Sequence, residues 1–210
     1  MISSGDVARP YRGDEIAGII LAGGKNTRMG GRDKAFLRVD GRTVFERMLA
    51  VLRECFSHVV VVSNQAEKFA GFDVETAQDE LPSFGPLSGL HAGLGRIRAP
   101  YAFVAGCDMP FLGAEPIRFL AARAREQDAV VPCWDGDVEP LHAVYAASLR
   151  PRIAEVVRAG GRAMRDLLPL IHVEYIPEAV MSGVRGAERS MRNVNTPEDA
   201  ARFAVMVGGQ

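Results

Sequence analysis

The stretch Leu21-Ala22-Gly23-Gly24-Lys25-Asn26-Thr27-Arg28-Met29-Gly30-Gly31-Arg32-Asp33-Lys34 carries four glycines and four cations directly after an apolar run. Glycine lets a backbone curl and turn its N–H groups toward a ligand with no Cβ in the way. Lysine and arginine bring the positive charge that a polyphosphate needs. The spacing is not that of a Walker A loop. Lys25 follows Gly24, but Ile19 stands where the earlier glycine belongs and Asn26 where Ser or Thr belongs. No G-x-G-x-x-G dinucleotide fingerprint reads through it either. Four cations within ten residues favour a phosphate cradle over a loop that uses glycine only to turn.

A second chemical group is Gly106-Cys107-Asp108-Met109-Pro110. An acid placed at the end of an apolar strand cannot be core. A single carboxylate there suits Mg²⁺ when phosphates supply the other ligands. Taken alone it also reads as a turn before a helix, and the cationic loop tips the balance toward chemistry.

These residues need a scaffold, and the periodicity supplies one. Ala17 to Ala22, Val59 to Val62, Tyr101 to Ala105 and Ala129 to Pro132 are short apolar runs with the look of buried parallel strands. Apolar residues at helical spacing run from Val44 to Phe56, with Thr43 as N-cap. Helices are also expected from Gly85 to Ile97, opening on Pro86, and through Ile117, Leu120 and Ala124. A weaker strand is expected within Phe72 to Thr76. Strand and helix alternate over the first 135 residues, which predicts a three-layer α/β sandwich: a Rossmann-like, mostly parallel sheet with helices on both faces. In such a sheet ligands sit beyond the carboxyl ends of the strands, where both groups fall.

The remainder reads as mixed: strands at Leu141 to Tyr145 and Ile171 to Ile176, and short helices at Ile153 to Val157 and Met164 to Leu168. Ser182 to Arg192 reads as a basic, glycine-containing loop, its arginines on a solvated face. A final helix is expected after Thr196-Pro197. The polar residues 1–15 read as a frayed tail and 16–207 as one domain.

Composition narrows the function. A length of 210 residues supports a core without disulfide or metal staples. The net charge of −1 gives no global reason to bind nucleic acid or an anionic membrane. No apolar run nears the roughly 18 residues that cross a bilayer. Cys55, Cys107 and Cys133 are scattered and odd in number, which suits a reducing compartment, so the cytoplasm is expected. The four histidines are dispersed and read as structural, His142 included. There is no G-x-S-x-G elbow and no H-E-x-x-H, so hydrolase chemistry has no support.

Four elements together resemble one family: Leu21-Ala22-Gly23-Gly24 with Arg28-Met29-Gly30 and Lys34, then Gly85-Pro86-Leu87-Ser88-Gly89, then Cys107-Asp108-Met109-Pro110, then Asn193-Val194-Asn195-Thr196-Pro197-Glu198-Asp199. The chain resembles the molybdenum cofactor guanylyltransferases of the nucleotide-diphospho-sugar transferase-like superfamily, from Ile16 to about Phe203. The resemblance implies GMP transfer from GTP to the phosphate of molybdopterin, with pyrophosphate released. It implies that Leu21, Ala22, Gly23 and Gly24 bind GTP through backbone groups. Arg28, Lys34 and Asp108 are then catalytic, Asp108 also holding Mg²⁺. Asp79 matches a nucleotide-contacting acid, and Asn64 is the amide nearest to a position that carries asparagine in some relatives. Asn193 and Asn195 face the molybdopterin side. Gly23 stands where cytidylyltransferase relatives carry alanine. Partners are then GTP, molybdopterin and, transiently, other cofactor-biosynthesis proteins. The alternatives are a cytidylyltransferase or sugar-phosphate nucleotidyltransferase of the same fold, or a GTP-binding adaptor without catalysis.

The chemistry stands without the family. A phosphate monoester is largely ionised near neutral pH, so its attack on an α-phosphorus needs no general base. Alignment and charge neutralisation suffice.

Overall fold

A computed structural model of the chain describes residues 15–23, 34–39, 41–81, 85–194 and 199. Gly24, Arg28 and Asn195 lie outside the described residues, as do residues 1–14 and, Asp199 excepted, the helix expected after Thr196.

The central sheet is built on β1 (Ile16–Leu21), every residue of which is buried. It runs parallel to β4 (Val59–Val62) on one side and to β6 (Tyr101–Gly106) on the other, and β5 (Glu75–Ala77) extends the sheet beyond β4. Burying each Val or Ile of these strands contributes about 1.5–3 kcal/mol. The small hairpin β2 (Arg38–Val39) and β3 (Arg42–Thr43) leads into α1 (Val44–Cys55). Thr43 caps α1 as expected, and Glu46 reaches back to the Thr43 N–H, completing a capping box.

The second half adds β7 (Ala129–Trp134), β8 (Asp137–Val138), β9 (His142–Ala146) and β10 (Val173–Ile176). The order is β10-β7-β9-β6-β1-β4-β5, with β8 paired to β7. β9 is inserted antiparallel between β6 and β7, which makes the sheet mostly rather than wholly parallel. Asp135 and Gly136 both take positive φ, 55° and 78°, and close the β7–β8 hairpin in the handedness that suits twisted strands.

Helices cover both faces. α1, α3 (Ala114–Ala121), α6 (Glu178–Met181) and α7 (Ala187–Ser190) pack on one, through Phe45, Ile117, Met181 and Ala187. α2 (Pro86–Leu94), α4 (Arg150–Arg158) and α5 (Met164–Leu167) pack on the other, through Leu90, Ile153 and Met164. The expected three-layer α/β architecture is thus observed. Differences lie at element ends. α2 stops at Leu94 and α3 at Ala121, earlier than their apolar spacing suggests: Gly95 and Ala122 keep right-handed helical angles, but the bonds beyond them tighten to i→i−3, from Arg96 to Gly93 and from Arg123 to Leu120. The weak strand begins at Glu75, since Phe72 packs against Phe45. The Ser182–Arg192 segment is not a plain loop: α7 lies within it and buries Ala187 and Ser190.

Candidate active site

Three strands end level. Leu21 lies opposite Val62 on β4 and opposite Gly106 on β6. The loops leaving them are stitched together: the Ala22 N–H donates to the Val62 carbonyl at 2.9 Å and the Cys107 N–H to the Leu21 carbonyl at 3.1 Å. The chain runs from β1 out to β4 and β5 on one side and then returns to β6 on the other. That reversal opens a crevice at the carboxyl edge, the usual ligand site of an open α/β sheet.

Lys34 and Asp108 meet in it. The Lys34 ammonium stands 3.6 Å from the Asp108 carboxylate, and each side chain keeps about a quarter of its surface exposed (25% and 27%). Burial holds the Asp108 carboxyl above the usual carboxylate range, and Lys34 pulls it partly back. A second acid faces the same ground. Glu139, just before β9, is also raised above the ordinary range, first by burial and then by Asp137 and Asp108. Sequence reasoning passed over Glu139, because only the antiparallel insertion of β9 brings it here. Among the described residues no three His, Cys, Asp or Glu side chains form a metal cluster. A cation on Asp108 would therefore draw further oxygens from a ligand.

Asn64 and Asp79 pair with each other. The Asn64 amide donates to the Asp79 carboxylate at 3.0 Å, and the Asp79 N–H donates to the Asn64 side-chain oxygen at 3.1 Å. Burial raises the Asp79 carboxyl, and the Asn64 bond opposes that. The two sit past the ends of β4 and β5. β5 is three strands from β6, roughly 14 Å at the usual strand spacing. Asp79 and Asp108 thus mark two ends of one crevice with Leu21, Ala22 and Gly23 between them. A Cβ built on Gly23 meets nothing within 4 Å among the described residues. Behind the crevice, in the first turn of α2, the Ser88 hydroxyl is buried with no partner among the described residues.

The late segment closes the β6 end. The Val194 N–H donates to the Asp108 carbonyl at 2.7 Å, and the Gly113 N–H donates to the Ser190 hydroxyl at 2.9 Å. Asn193, expected on the acceptor side, is thereby set beside Asp108, and its buried Oδ1 has no partner among the described residues. The arginines of this segment are not simply solvated: Arg189 lies 4.7 Å over the Phe111 ring and Arg192 pairs with Glu188. His142 is fully buried against Phe103, and His58 bonds Glu75 at 3.0 Å, both as structural side chains. No helix among the described residues is long and apolar enough to cross a membrane.

A family model described as a MobA-like NTP transferase domain matches residues 18–174. The chain is 33% identical over 91% of its length to a probable molybdenum cofactor guanylyltransferase of Pelotomaculum thermopropionicum, 93% of which is covered. It is 38% identical over 90% of its length to a protein of the same description from Natronomonas pharaonis, 96% of which is covered. Among solved structures, molybdopterin-guanine dinucleotide biosynthesis protein A from Archaeoglobus fulgidus superposes with a TM-score of 0.81 at 28% identity, over 92% of this chain and 100% of that one.

Proposed function

The chain belongs to the MobA-like NTP transferase family, and from that premise we propose that it transfers GMP from GTP to the phosphate of molybdopterin, forming the guanine dinucleotide cofactor and releasing pyrophosphate. One observation carries the reading from family to site. The Lys34–Asp108 pair stands at the level ends of β1 and β6, and Lys34 closes the glycine- and cation-rich run of the sequence. Relatives described as guanylyltransferases favour guanine over the cytidine and sugar-phosphate readings.

GTP lies along the crevice. Its base and ribose rest on Leu21, Ala22 and Gly23 and reach toward Asn64 and Asp79. Its triphosphate reaches Lys34 and Asp108, and Gly24 and Arg28 are the further phosphate-binding residues read from the sequence. The acceptor phosphate enters from the Asn193 and Asn195 side, opposite the leaving pyrophosphate, so attack is in line. The acceptor is already ionised, so no residue needs to take a proton. Lys34 and Arg28 neutralise charge that grows on the bridging oxygen as the bond to pyrophosphate breaks. Asp108 fits Mg²⁺, being a part-exposed carboxylate just beyond the end of β6. A hard cation held by Asp108 and phosphate oxygens would supply further charge neutralisation on the triphosphate. Residues 16–207 act as one domain, and three cysteines in no disulfide suit the cytoplasm.

The test is a nucleotide panel with molybdopterin as acceptor, read as pyrophosphate release and dinucleotide formed. GTP with Mg²⁺ is expected to turn over. An adaptor would bind GTP and release no pyrophosphate, and CTP turnover above GTP would overturn the base assignment.

A further inference from the structure

Among the described residues, the loop 78–81 that leaves β5 makes no backbone-to-backbone hydrogen bond. It carries Asp79, so side-chain contacts decide where that acid stands. We propose that Arg150, with Glu80 as its partner, is a positioning residue for the nucleotide: it fixes this loop from behind and so sets Asp79 toward the base and ribose of GTP. The inference rests on the reaction proposed above and deepens its nucleotide end.

The loop is held from two directions. Past the end of β4, the Asn64 side chain engages both the N–H and the carboxylate of Asp79. The next residue, Glu80, is held from the helices on one face of the sheet. Arg150, on α4, donates to Glu80 Oε2 at 2.5 Å, and His91 Nδ1, on α2, stands 3.7 Å from the same oxygen. Leu81 then packs against the apolar cluster under those helices. Consecutive Cα atoms are fixed 3.8 Å apart across a trans peptide. A loop released at Glu80 therefore moves Asp79 as well.

The course of the Arg150 side chain is set by the sequence. Arg150 opens α4, an end at which the helix dipole disfavours a cation. Its side chain crosses the last turn of α2 instead, where Nε donates to the His91 carbonyl at 3.4 Å. A Cβ built on Gly95 would stand 2.9 Å from that Nε, so the crossing is open because residue 95 is glycine. Capping α2 uses Nε alone and leaves the outer nitrogen to Glu80. Both charged side chains keep 41% of their surface exposed. An ion pair in that setting adds little to global stability. Its effect is on the place of the loop, and through the loop on Asp79.

The experiment measures GTP binding by calorimetry with Mg²⁺ and no acceptor, beside binding of inorganic triphosphate, which has no base or ribose. The variants are Arg150→Ala, Arg150→Lys, Glu80→Gln, Gly95→Ala, Asp79→Ala and the double variant Arg150→Ala with Asp79→Ala. Arg152→Ala, an exposed arginine of α4, is the control. Arg150→Ala is expected to raise the Kd for GTP about tenfold and to leave the Kd for triphosphate and the melting temperature close to wild type. Arg150→Lys and Glu80→Gln each keep one part of the contact and are expected to lose less. Gly95 has right-handed helical angles that suit alanine, so Gly95→Ala keeps every charge and displaces the flexible guanidinium. It is expected to weaken GTP in the same direction. In the Asp79→Ala background Arg150→Ala is expected to cost nothing further, because it acts through that acid. A GTP Kd unchanged in Arg150→Ala and Gly95→Ala would overturn this inference alone. So would an equal loss for GTP and triphosphate, or a full further loss on top of Asp79→Ala. A wild type that binds GTP but releases no pyrophosphate with molybdopterin would instead overturn the reaction on which it rests.

Discussion

The backbone N–H of Val194 donates to the carbonyl of Asp108 at 2.7 Å. This bond brings the last described stretch of the chain back to the strand end that carries the acid. It fixes Asn193 beside Asp108, with Oδ1 buried and unpartnered among the described residues. A buried acceptor without a donor costs free energy in the empty protein, and is retained where a ligand supplies the donor. Asn193→Ala is therefore expected to leave thermal stability close to wild type while raising the acceptor KM about tenfold and sparing the KM for GTP. A matching rise in the KM for GTP would place Asn193 on the nucleotide side.

The Asp108 carboxylate is predicted to be catalytically essential and structurally costly. Its folded pKa is raised by burial, so the native state holds its proton to higher pH than the unfolded chain does. The sign follows: stability falls as pH rises through that window, and the ionised acid is a net cost at neutral pH. Asp108→Asn removes the charge and keeps the shape. Turnover is expected to fall about 10²–10³-fold, while the melting temperature holds or rises. A variant that unfolds early would show that the Lys34 pair holds the fold. Gly106→Ala tests position rather than charge. A Cβ there stands 3.0 Å from Asp108 Oδ1 and 3.3 Å from Leu141 Cδ1, so the carboxylate must shift. Overpacking of this kind costs about 1–3 kcal/mol. The shift needed is a few tenths of an ångström, so turnover of Gly106→Ala is expected to fall by less than the roughly hundredfold that a misplacement of about 1 Å costs.

Base choice is predicted to respond to Gly23. A methyl at this position meets nothing within 4 Å among the described residues, so Gly23→Ala is expected to fold as wild type does. Any change in the kcat/KM ratio of GTP to CTP then comes from the ligand side, where the methyl narrows the room for a purine. The ratio is expected to drop. An unchanged ratio in a variant of wild-type stability would move base selection elsewhere in the crevice.

The candidate site is legible in the sequence where local chemistry is dense. The glycine and cation run, the strand-end Asp108 and the Thr43 capping box each carry their signal within a few consecutive residues. The direction of β9 was not readable, because an apolar run looks the same parallel or antiparallel. Glu139 owes its place to that direction and stayed hidden with it. β2, β3 and β8 are two residues each, too short for a period-2 pattern. α7 has four residues, and its arginines looked like a solvated face because Phe111, the ring under Arg189, is 78 positions away in sequence. Long-range pairings leave no trace in the spacing of either partner.

The fold's acid tolerance is predicted to depend on His142. Its ring is fully buried, edge-on to Phe103 at 5.2 Å between centroids, and neither nitrogen has a partner among the described residues. Burial alone pushes its pKa from 6.5 down to about 3. Between those values the unfolded chain binds a proton that the native state refuses. Stability therefore falls as pH drops from about 6.5 toward 3, and is fully retained above that window. His142→Phe keeps an aromatic ring against Phe103 and removes the titrating group. Urea unfolding at pH 7 and pH 5 is the measurement. The variant is expected to match or exceed wild type at pH 7, since two unpartnered nitrogens leave the core. It is also expected to lose less stability than wild type on going to pH 5. Equal losses in the two proteins would mean that the acid sensitivity comes from carboxylates, and that the His142 nitrogens find hydrogen bonds when the protein opens.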